Sequence, residues 1–466
     1  GGVRVDGTFG NAIYLAVYLM FAAFIAVWQG IESKGWMRYS LYALAALSVI
    51  ILFNTATRGA IVAIVAGSAL AGLLFVLFSG KQGKKIAAGA LLALALLVGG
   101  FYLIKDTPIV TTHPIWNRLA SISLGELSVR FTLWSMAVEG VKERPLLGYG
   151  QDGYNYVFNE YYRPELYTQE PWFDRAHNAY MDWLVAGGIP AFLLFVSLLL
   201  MAFVLLWRTP GLSTSERILL TSVLVAYALQ AIVVFDNLFS YVPLAAILAY
   251  LHGRAAKPIP ALTRLPELKG NAEAIAVPVA SAVLLFLILT VNLPNMRAAN
   301  HLVYAISLLP GGPKENLTHF REALATGTFA TQEIREQLVN YTTQVVAQPS
   351  LPLALKNEYA LLARAEIEKE VAEVPLDTRA RVQAAVLYQA LGEYEQALEH
   401  IEVARDLSKD RQLVMFIHAR ILSELTRHEE AVAILEDIYA VSPHSEDLVA
   451  RVAAGLIMAG DAARGE

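Results

Sequence analysis

Eight apolar runs without a single Asp, Glu, Lys or Arg dominate the first 296 residues: 11–29, 39–57, 59–80, 86–104, 183–207, 218–235, 237–251 and 274–296. A helix that crosses a bilayer needs about 20 mostly apolar residues, because every backbone polar group must be satisfied within the segment. The runs therefore predict an all-α, polytopic membrane bundle. The run 237–251 is the shortest and holds Pro243, so a tilted, broken or re-entrant helix is the alternative there.

The connections carry a directional signal. Lys34 and Arg38 follow the first run, Lys81, Lys84 and Lys85 the third, Arg208 and Arg217 the fifth, and Arg254, Lys257, Arg264 and Lys269 the seventh. Basic residues favour the cytoplasmic side of short loops. These four connections alternate, so they are assigned to the cytoplasm. Arg58, Asp236, a long loop at about 105–182 and everything after 296 then face outward, into the periplasm of a bacterium. The chain is read as part of a longer protein, since Gly1 is not a start residue and no signal-peptide pattern precedes the first run.

After Pro294 the chain turns charged and helically periodic. Residues 378–411 and 412–445 align at a period of 34. Gly392, Tyr394, Ala397 and Ala404 in the first copy correspond to Thr426, His428, Ala431 and Ile438 in the second, where Pro443 stands at the closing position. That period and those small residues are the signature of a tetratricopeptide repeat. A generic helical bundle is the plainer alternative. A third copy begins near Glu446 and reaches Gly460, leaving an array without its closing helix. The expected domains are 1–296, a membrane domain containing the outward loop; 297–377, a helical connector with degenerate repeats as one reading; and 378–466, the repeats. A membrane part joined to a soluble part also explains a chain 56% hydrophobic and only 17% charged. There is no polybasic footprint for nucleic acid, and with no cysteine in the chain, thiol chemistry and zinc–thiolate sites are excluded.

The loop 105–182 carries seven basic residues: Lys105, Arg118, Arg130, Lys142, Arg144, Arg163 and Arg175. It is also rich in aromatics, among them Trp134, Tyr149, Tyr154, Tyr162 and Trp172. These suit an interfacial belt or platforms for sugar rings. Arg58 is the only charge between Arg38 and Lys81. At a membrane boundary an arginine can simply snorkel. It is also the side chain with a forked grip on phosphate oxygens. His177 follows Asp174 and Arg175 just before an apolar run; it is a structural histidine or a proton acceptor near neutral pH.

Several short motifs, in order, resemble the O-antigen ligase and polymerase superfamily. Arg4-Val5-Asp6-Gly7-Thr8-Phe9-Gly10-Asn11 resembles the stretch before an early core span, with Ala12 where these proteins often carry proline. Thr57-Arg58-Gly59 resembles the family's Ser-Arg-Gly. Arg130, Trp134 and Pro145-Leu146-Leu147-Gly148-Tyr149-Gly150 resemble the large-loop pattern, and Ala176-His177-Asn178 with Gly188-Ile189-Pro190 resembles the approach to the following span. The resemblance covers about residues 1–250. It implies a metal-independent, inverting glycosyltransferase needing no cofactor, which moves a glycan from an undecaprenyl-diphosphate carrier to an acceptor hydroxyl.

On that resemblance, Arg58 and Arg130 hold the diphosphate and His177 takes the acceptor proton. Asp174, Arg175 and Asp182 orient the histidine or the sugar, and Trp134, Tyr149 and Tyr154 contact the substrate. No metal ligand is assigned. Lipid, glycan and protein acceptors all remain open, as do ligase, polymerase and protein O-oligosaccharyltransferase. The repeats are expected to bind a protein or glycan partner. A non-catalytic membrane-anchored repeat scaffold is the rival from another class. A transporter fits poorly, since the runs hold no mid-span ionisable residue.

Overall fold

The computed structural model describes residues 4–121, 126–256, 271–443 and 445–458, and every regular element among them is helical. Lys257, Arg264, Lys269 and Gly460 lie outside the described residues. The chain divides into two compact units. One is Gly1–Tyr154 with Asp174–Pro258; the other is Asn155–Phe173 with Ile259–Glu466. Residues 155–173, from the middle of the 105–182 loop, fall in the same unit as the tail.

The first unit begins with α1 (Ala12–Glu32), α2 (Gly35–Asn54), α3 (Arg58–Phe78) and α4 (Lys81–Ile104). Asn11 caps α1, its side chain accepting from the Ile13 amide at 2.8 Å. The loop holds two short helices, α5 (Pro108–Thr111) and α6 (Pro114–Ala120), then α7 (Glu126–Glu143) and α8 (Tyr154–Glu160). The bundle resumes with α9 (Ala179–Arg208), α10 (Thr214–Gln230) and α11 (Leu238–Ala255). Helix α10 packs on α3 and α1. A Cβ at Gly67 of α3 would lie 2.8 Å from Phe24, 2.9 Å from Ala226 and 3.0 Å from the Ser222 carbonyl, so glycine permits the approach of three helices.

Among the described residues, six helices are long and apolar enough to cross a membrane: Ala12–Glu32, Gly35–Asn54, Arg58–Phe78, Lys81–Ile104, Ala179–Arg208 and Ala274–Ala305. The runs 218–235 and 237–251, expected as two further spans, do not reach that standard among the described residues. Helix α10 is 17 residues long and buried on most of its surface, which is how an all-round apolar helix behaves inside a bundle. It stops at Gln230 because the next residues turn around Asp236, whose carboxylate accepts from Tyr227 and Ser240 at 2.8–2.9 Å. Helix α11 carries His252, Gly253 and Arg254 in its last turn before ending at Ala255.

The second unit opens on α12 (Asn271–Leu287), which passes through a π-turn at Ile288–Asn292 into α13 (Leu293–Ala305). None of the apolar window of this long helix is covered by protein. There follow α14 (Pro313–Ala325), α15 (Thr331–Ala347) and α16 (Leu353–Glu373), packed around Phe320, Leu338, Tyr359 and Ile367. Arg335, buried, joins α15 to α16 through Glu366, Glu370 and Glu373 at 2.7–3.1 Å.

Beyond them lie α17 (Thr378–Ala390), α18 (Tyr394–Leu407), α19 (Gln412–Glu424), α20 (His428–Val441) and α21 (Glu446–Met458). Helix starts recur at the period of 34 read from the sequence, at Thr378, Gln412 and Glu446. Ala397, Ala404, Ala431 and Ile438 are fully buried between the helices.

The loop segment 155–173 packs on these tail helices. Arg411, only 1% exposed, donates to the Asn159 side chain at 2.6 Å and stacks 3.7 Å from the centroid of the Trp172 ring. Tyr162 donates to the Gln412 side chain at 2.9 Å, and Gln412 donates to the Pro164 carbonyl at 3.0 Å. Burial holds the Arg411 pKa down at about 10 and pushes the Tyr162 hydroxyl up to about 12.

Candidate functional site

The short connection between α2 and α3 gathers arginines from three parts of the chain. Thr55 and Thr57, both buried, tie the turn together with a hydroxyl–hydroxyl bond of 3.0 Å, and Ala56 sits there at φ +49°. Arg4 donates to the Thr55 carbonyl at 2.9 Å and the Thr57 hydroxyl at 3.0 Å. Arg118, at the end of α6, donates to the Ala56 carbonyl at 3.3 Å. Arg58, at the head of α3, donates to the Arg118 carbonyl at 2.7 Å and the Ser121 hydroxyl at 3.0 Å.

Arg58 also lies within electrostatic reach of both Arg118 and Arg130, and Arg4 within reach of Arg118. Four guanidinium groups thus share one region. No carboxylate among the described residues pairs with Arg4, Arg118 or Arg130. The Arg130 Nε is buried and has no hydrogen-bond partner, and burial lowers the Arg130 pKa from its ordinary value. Like charges in proximity with an unsatisfied buried donor cost stability. An anion seated between them removes that cost.

His177 occupies a strained turn. Its φ is +54°, a left-handed conformation uncommon for residues other than glycine. Both peptide groups of the preceding Ala176, which is fully buried, are clamped. The Ala176 amide donates to Asp182 Oδ1 at 2.8 Å, and its carbonyl accepts from the Trp134 indole N–H at 3.0 Å. Asn178 then caps α9, accepting from the amides of Tyr180 and Met181. The His177 ring meets Phe235 edge-on at 5.4 Å, and its Nδ1 is 3.2 Å from the Arg175 carbonyl. In the tautomer that donates Nδ1–H to that carbonyl, the basic lone pair is on Nε2. Trp134 and Arg130 stand four residues apart and so share one face of α7. Helix α7 therefore connects the arginine cluster to the histidine turn.

The remaining expected residues take various places. Arg175 pairs with Asp152. Asp174 is exposed. Tyr149 donates to Glu143 at 2.8 Å and carries the Arg144 guanidinium over its ring at 4.4 Å. Tyr154 is buried and donates to the Leu133 carbonyl at 2.8 Å, so it braces α7 rather than offering its hydroxyl to solvent. An apolar cavity of about 1080 Å³ between α1 and α4, lined by Phe24, Val27, Ile64, Phe75 and Leu91 among others, touches none of the arginines.

Two glycine motifs turn out to be one joint. The amides of Tyr149 and Gly150 donate to the carbonyls of Val185 and Ala186 at 2.8 and 2.9 Å, and Ile189 donates back to the Pro145 carbonyl at 2.8 Å. Helix α9 is kinked there, with Gly188 at φ +66°. A Cβ on Gly148 would lie 2.2 Å from the Val185 carbonyl, and one on Gly188 would lie 2.5 Å from that of Pro145. The joint fixes the C-terminal end of α7 against α9, which begins beside His177.

The parts the residues alone did not bring forward are Arg4 and Arg118. Arg4 stood inside a quoted motif without a role. Arg118 was one of seven basic loop residues and carries no periodic or motif signal.

Compared with known proteins, residues 43–196 match the model of the O-antigen ligase family. That span includes Arg58, Arg118, Arg130, Trp134, His177 and both halves of the glycine joint; it leaves out Arg4 and the tail. The match supports a glycosyltransferase-type enzyme of the O-antigen ligase superfamily, built on apolar helices able to cross a membrane. No curated protein and no solved structure matches the chain.

Proposed function

We propose that this protein is an O-antigen ligase-like glycosyltransferase. It moves a glycan from an undecaprenyl-diphosphate carrier to an acceptor hydroxyl at the periplasmic face of the bacterial inner membrane. The observation that carries this reading is Arg130, a guanidinium with a buried, unpartnered Nε in the company of Arg58 and Arg118. A diphosphate supplies the acceptor oxygens that such a group lacks, and it collects negative charge as the sugar leaves.

In the reaction, the acceptor oxygen bonds to the anomeric carbon from the face opposite the carrier. The bond between that carbon and the phosphate oxygen breaks, and its electron pair leaves with the diphosphate, held by Arg58, Arg118 and Arg130. The acceptor hydroxyl proton passes to His177. Asp182 and Trp134 act through the Ala176 peptide groups to hold the histidine turn, and are positioning residues. The same chemistry serves a ligase, a polymerase or a protein O-oligosaccharyltransferase, which differ only in the acceptor. The 34-residue periodicity of the tail supports a tetratricopeptide array, which suits recognition of a large acceptor or a protein partner.

The test is glycan transfer from a labelled undecaprenyl-diphosphate donor by the full-length protein in sided vesicles. Transfer to acceptor supplied at the periplasmic face, lost in His177→Ala with donor binding retained, is expected. Full transfer by that variant, or transfer only from the cytoplasmic face, overturns the reading.

A further inference from the structure

The second unit contains a three-sided cluster that the glycosyl-transfer chemistry does not use. His301, near the end of α13, and His319 and Glu322, one turn apart on α14, converge. The two Nδ1 atoms are 3.2 Å apart, and Glu322 Oε2 lies 3.0 Å from the first and 3.1 Å from the second. The side chains are 30%, 21% and 47% exposed, so the cluster opens to solvent.

A carboxylate bridging two imidazole N–H groups explains two of these distances and not the third. An Nδ1–H···Nδ1 bond between the rings accounts for the third distance only by turning the accepting lone pair toward the carboxylate oxygen, so no placement of protons on the two rings satisfies all three contacts at once. Three potential ligand atoms on a nearly equilateral triangle are instead one face of a coordination tetrahedron. For metal–ligand bonds of about 2.05 Å, as zinc makes to imidazole nitrogen and carboxylate oxygen, the tetrahedral edge is about 3.3 Å. The rings are also oriented from outside: Tyr304 stacks on His319 at 5.2 Å, and the two imidazoles stand 5.5 Å apart at 33°.

We propose that His301, His319 and Glu322 form a divalent-cation site of the zinc class, with two imidazoles, one carboxylate and a fourth position taken by water. The ion ties the last turns of α13, the continuation of the long uncovered apolar helix, to the first helix of the soluble fold. It spans the 306–312 connection, where α13 and α14 already pack together. The sequence hides the set because 18 residues separate His301 from His319, and His319-x-x-Glu322 alone is an ordinary helical pair.

The test is zinc stoichiometry of the purified full chain, dialysed against metal-free buffer and then titrated with zinc, with unfolding followed in parallel. One tightly held zinc per chain and a higher Tm with zinc are expected. His301→Ala and His319→Ala should each lower the affinity by more than about 100-fold, beyond the 10- to 100-fold cost of losing an outer-shell partner. Glu322→Gln changes an exposed side chain with little risk to folding, and should weaken binding in the same direction. His428→Ala, an exposed histidine elsewhere in the tail, should keep full stoichiometry and affinity. Absence of bound zinc in the unaltered protein, or affinity unchanged in Glu322→Gln and both histidine variants, overturns the site.

Discussion

The Trp134 indole N–H donates to the Ala176 carbonyl at 3.0 Å, one residue before His177. The bond joins the helix that carries Arg130 to the turn that carries the histidine. Trp134→Phe keeps most of the apolar surface and removes only the donor. A net hydrogen bond is worth about 1 kcal/mol, so turnover should fall roughly five- to tenfold with donor affinity unchanged. Steady-state transfer and donor binding, measured on the same preparation, check this. Equal losses in both would make Trp134 a contact to the donor instead.

Arginine and lysine should not be interchangeable in the cluster. Arg58→Lys and Arg130→Lys preserve charge and lose the planar fork. Each should reduce transfer about 10²- to 10³-fold, the usual effect of removing one donor from a charge-stabilising site. Arg118→Ala should fall in the same range, because it removes a guanidinium from the cluster around Arg58 while leaving the backbone carbonyl that accepts from Arg58 in place. Wild-type rates in Arg118→Ala would confine the clamp to the other two.

The glycine joint separates strain from collision. Gly148 and Gly150 both have positive φ, at +62° and +88°, but a Cβ at Gly150 meets nothing within 4 Å. Gly150→Ala should therefore cost only the left-handed conformation, about 1–2 kcal/mol. Gly148→Ala and Gly188→Ala add a backbone clash and should cost more, with lower yield and Tm in detergent. Similar Tm values for the Gly148 and Gly150 variants would mean that the joint yields.

Acid should loosen the tail. His418 is 7% exposed, and burial, with Arg405 and Arg427 nearby, brings its pKa down to about 4. Its unfolded value is near 6.5, so between pH 6.5 and 4 the unfolded chain holds a proton that the folded chain refuses. Stability then rises with pH across that window and is lost as pH falls, by about 1.4 kcal/mol per unit at most. His400, lowered chiefly by burial, acts in the same direction. The Tm should drop between pH 7 and 5, and His418→Gln should flatten the slope. An unchanged slope would remove His418 as its source.

Arg411 should govern how tightly 155–173 is held. Arg411→Met loses the bond to Asn159 and the stacking on Trp172, an interaction worth about 2 kcal/mol when desolvated. Chymotryptic cleavage after Tyr162 should quicken about tenfold or more in the full chain, since proteolysis follows local opening. An unchanged cleavage rate would show that the aromatic packing alone is sufficient.

Much of this architecture can be read from local patterns. Charge-free runs and a 34-residue period are short-range signals, and the helices beginning at Thr378, Gln412 and Glu446 follow them closely. The two expected spans that fall short show where such signals stop. Hydropathy counts residues without knowing that Asp236 draws Tyr227 and Ser240 into a turn, or that neighbours already cover α10. The residues proposed for the candidate site stand out in the sequence where a motif carries them, as with Arg58, Arg130 and His177. Tertiary contact alone brings Arg4 and Arg118 around the Ala56 turn, and no local pattern points to either in that role. Arg411 looked like any charge on a helical repeat, because its aromatic partners stand some 240 residues earlier.

The division of the loop has a consequence for how such a protein can be inherited. The chain passes between its two units at 154–155, at 173–174 and at 258–259, so the tail is not an appendage attached at a single seam. A recombinant that received another relative's tail alone would keep a loop shaped for the original Arg411 and Gln412. Its Phe158, Tyr162 and Trp172 would then face a foreign surface. Residues 155–173 and the tail are one heritable module in two pieces, and a functional graft must carry both.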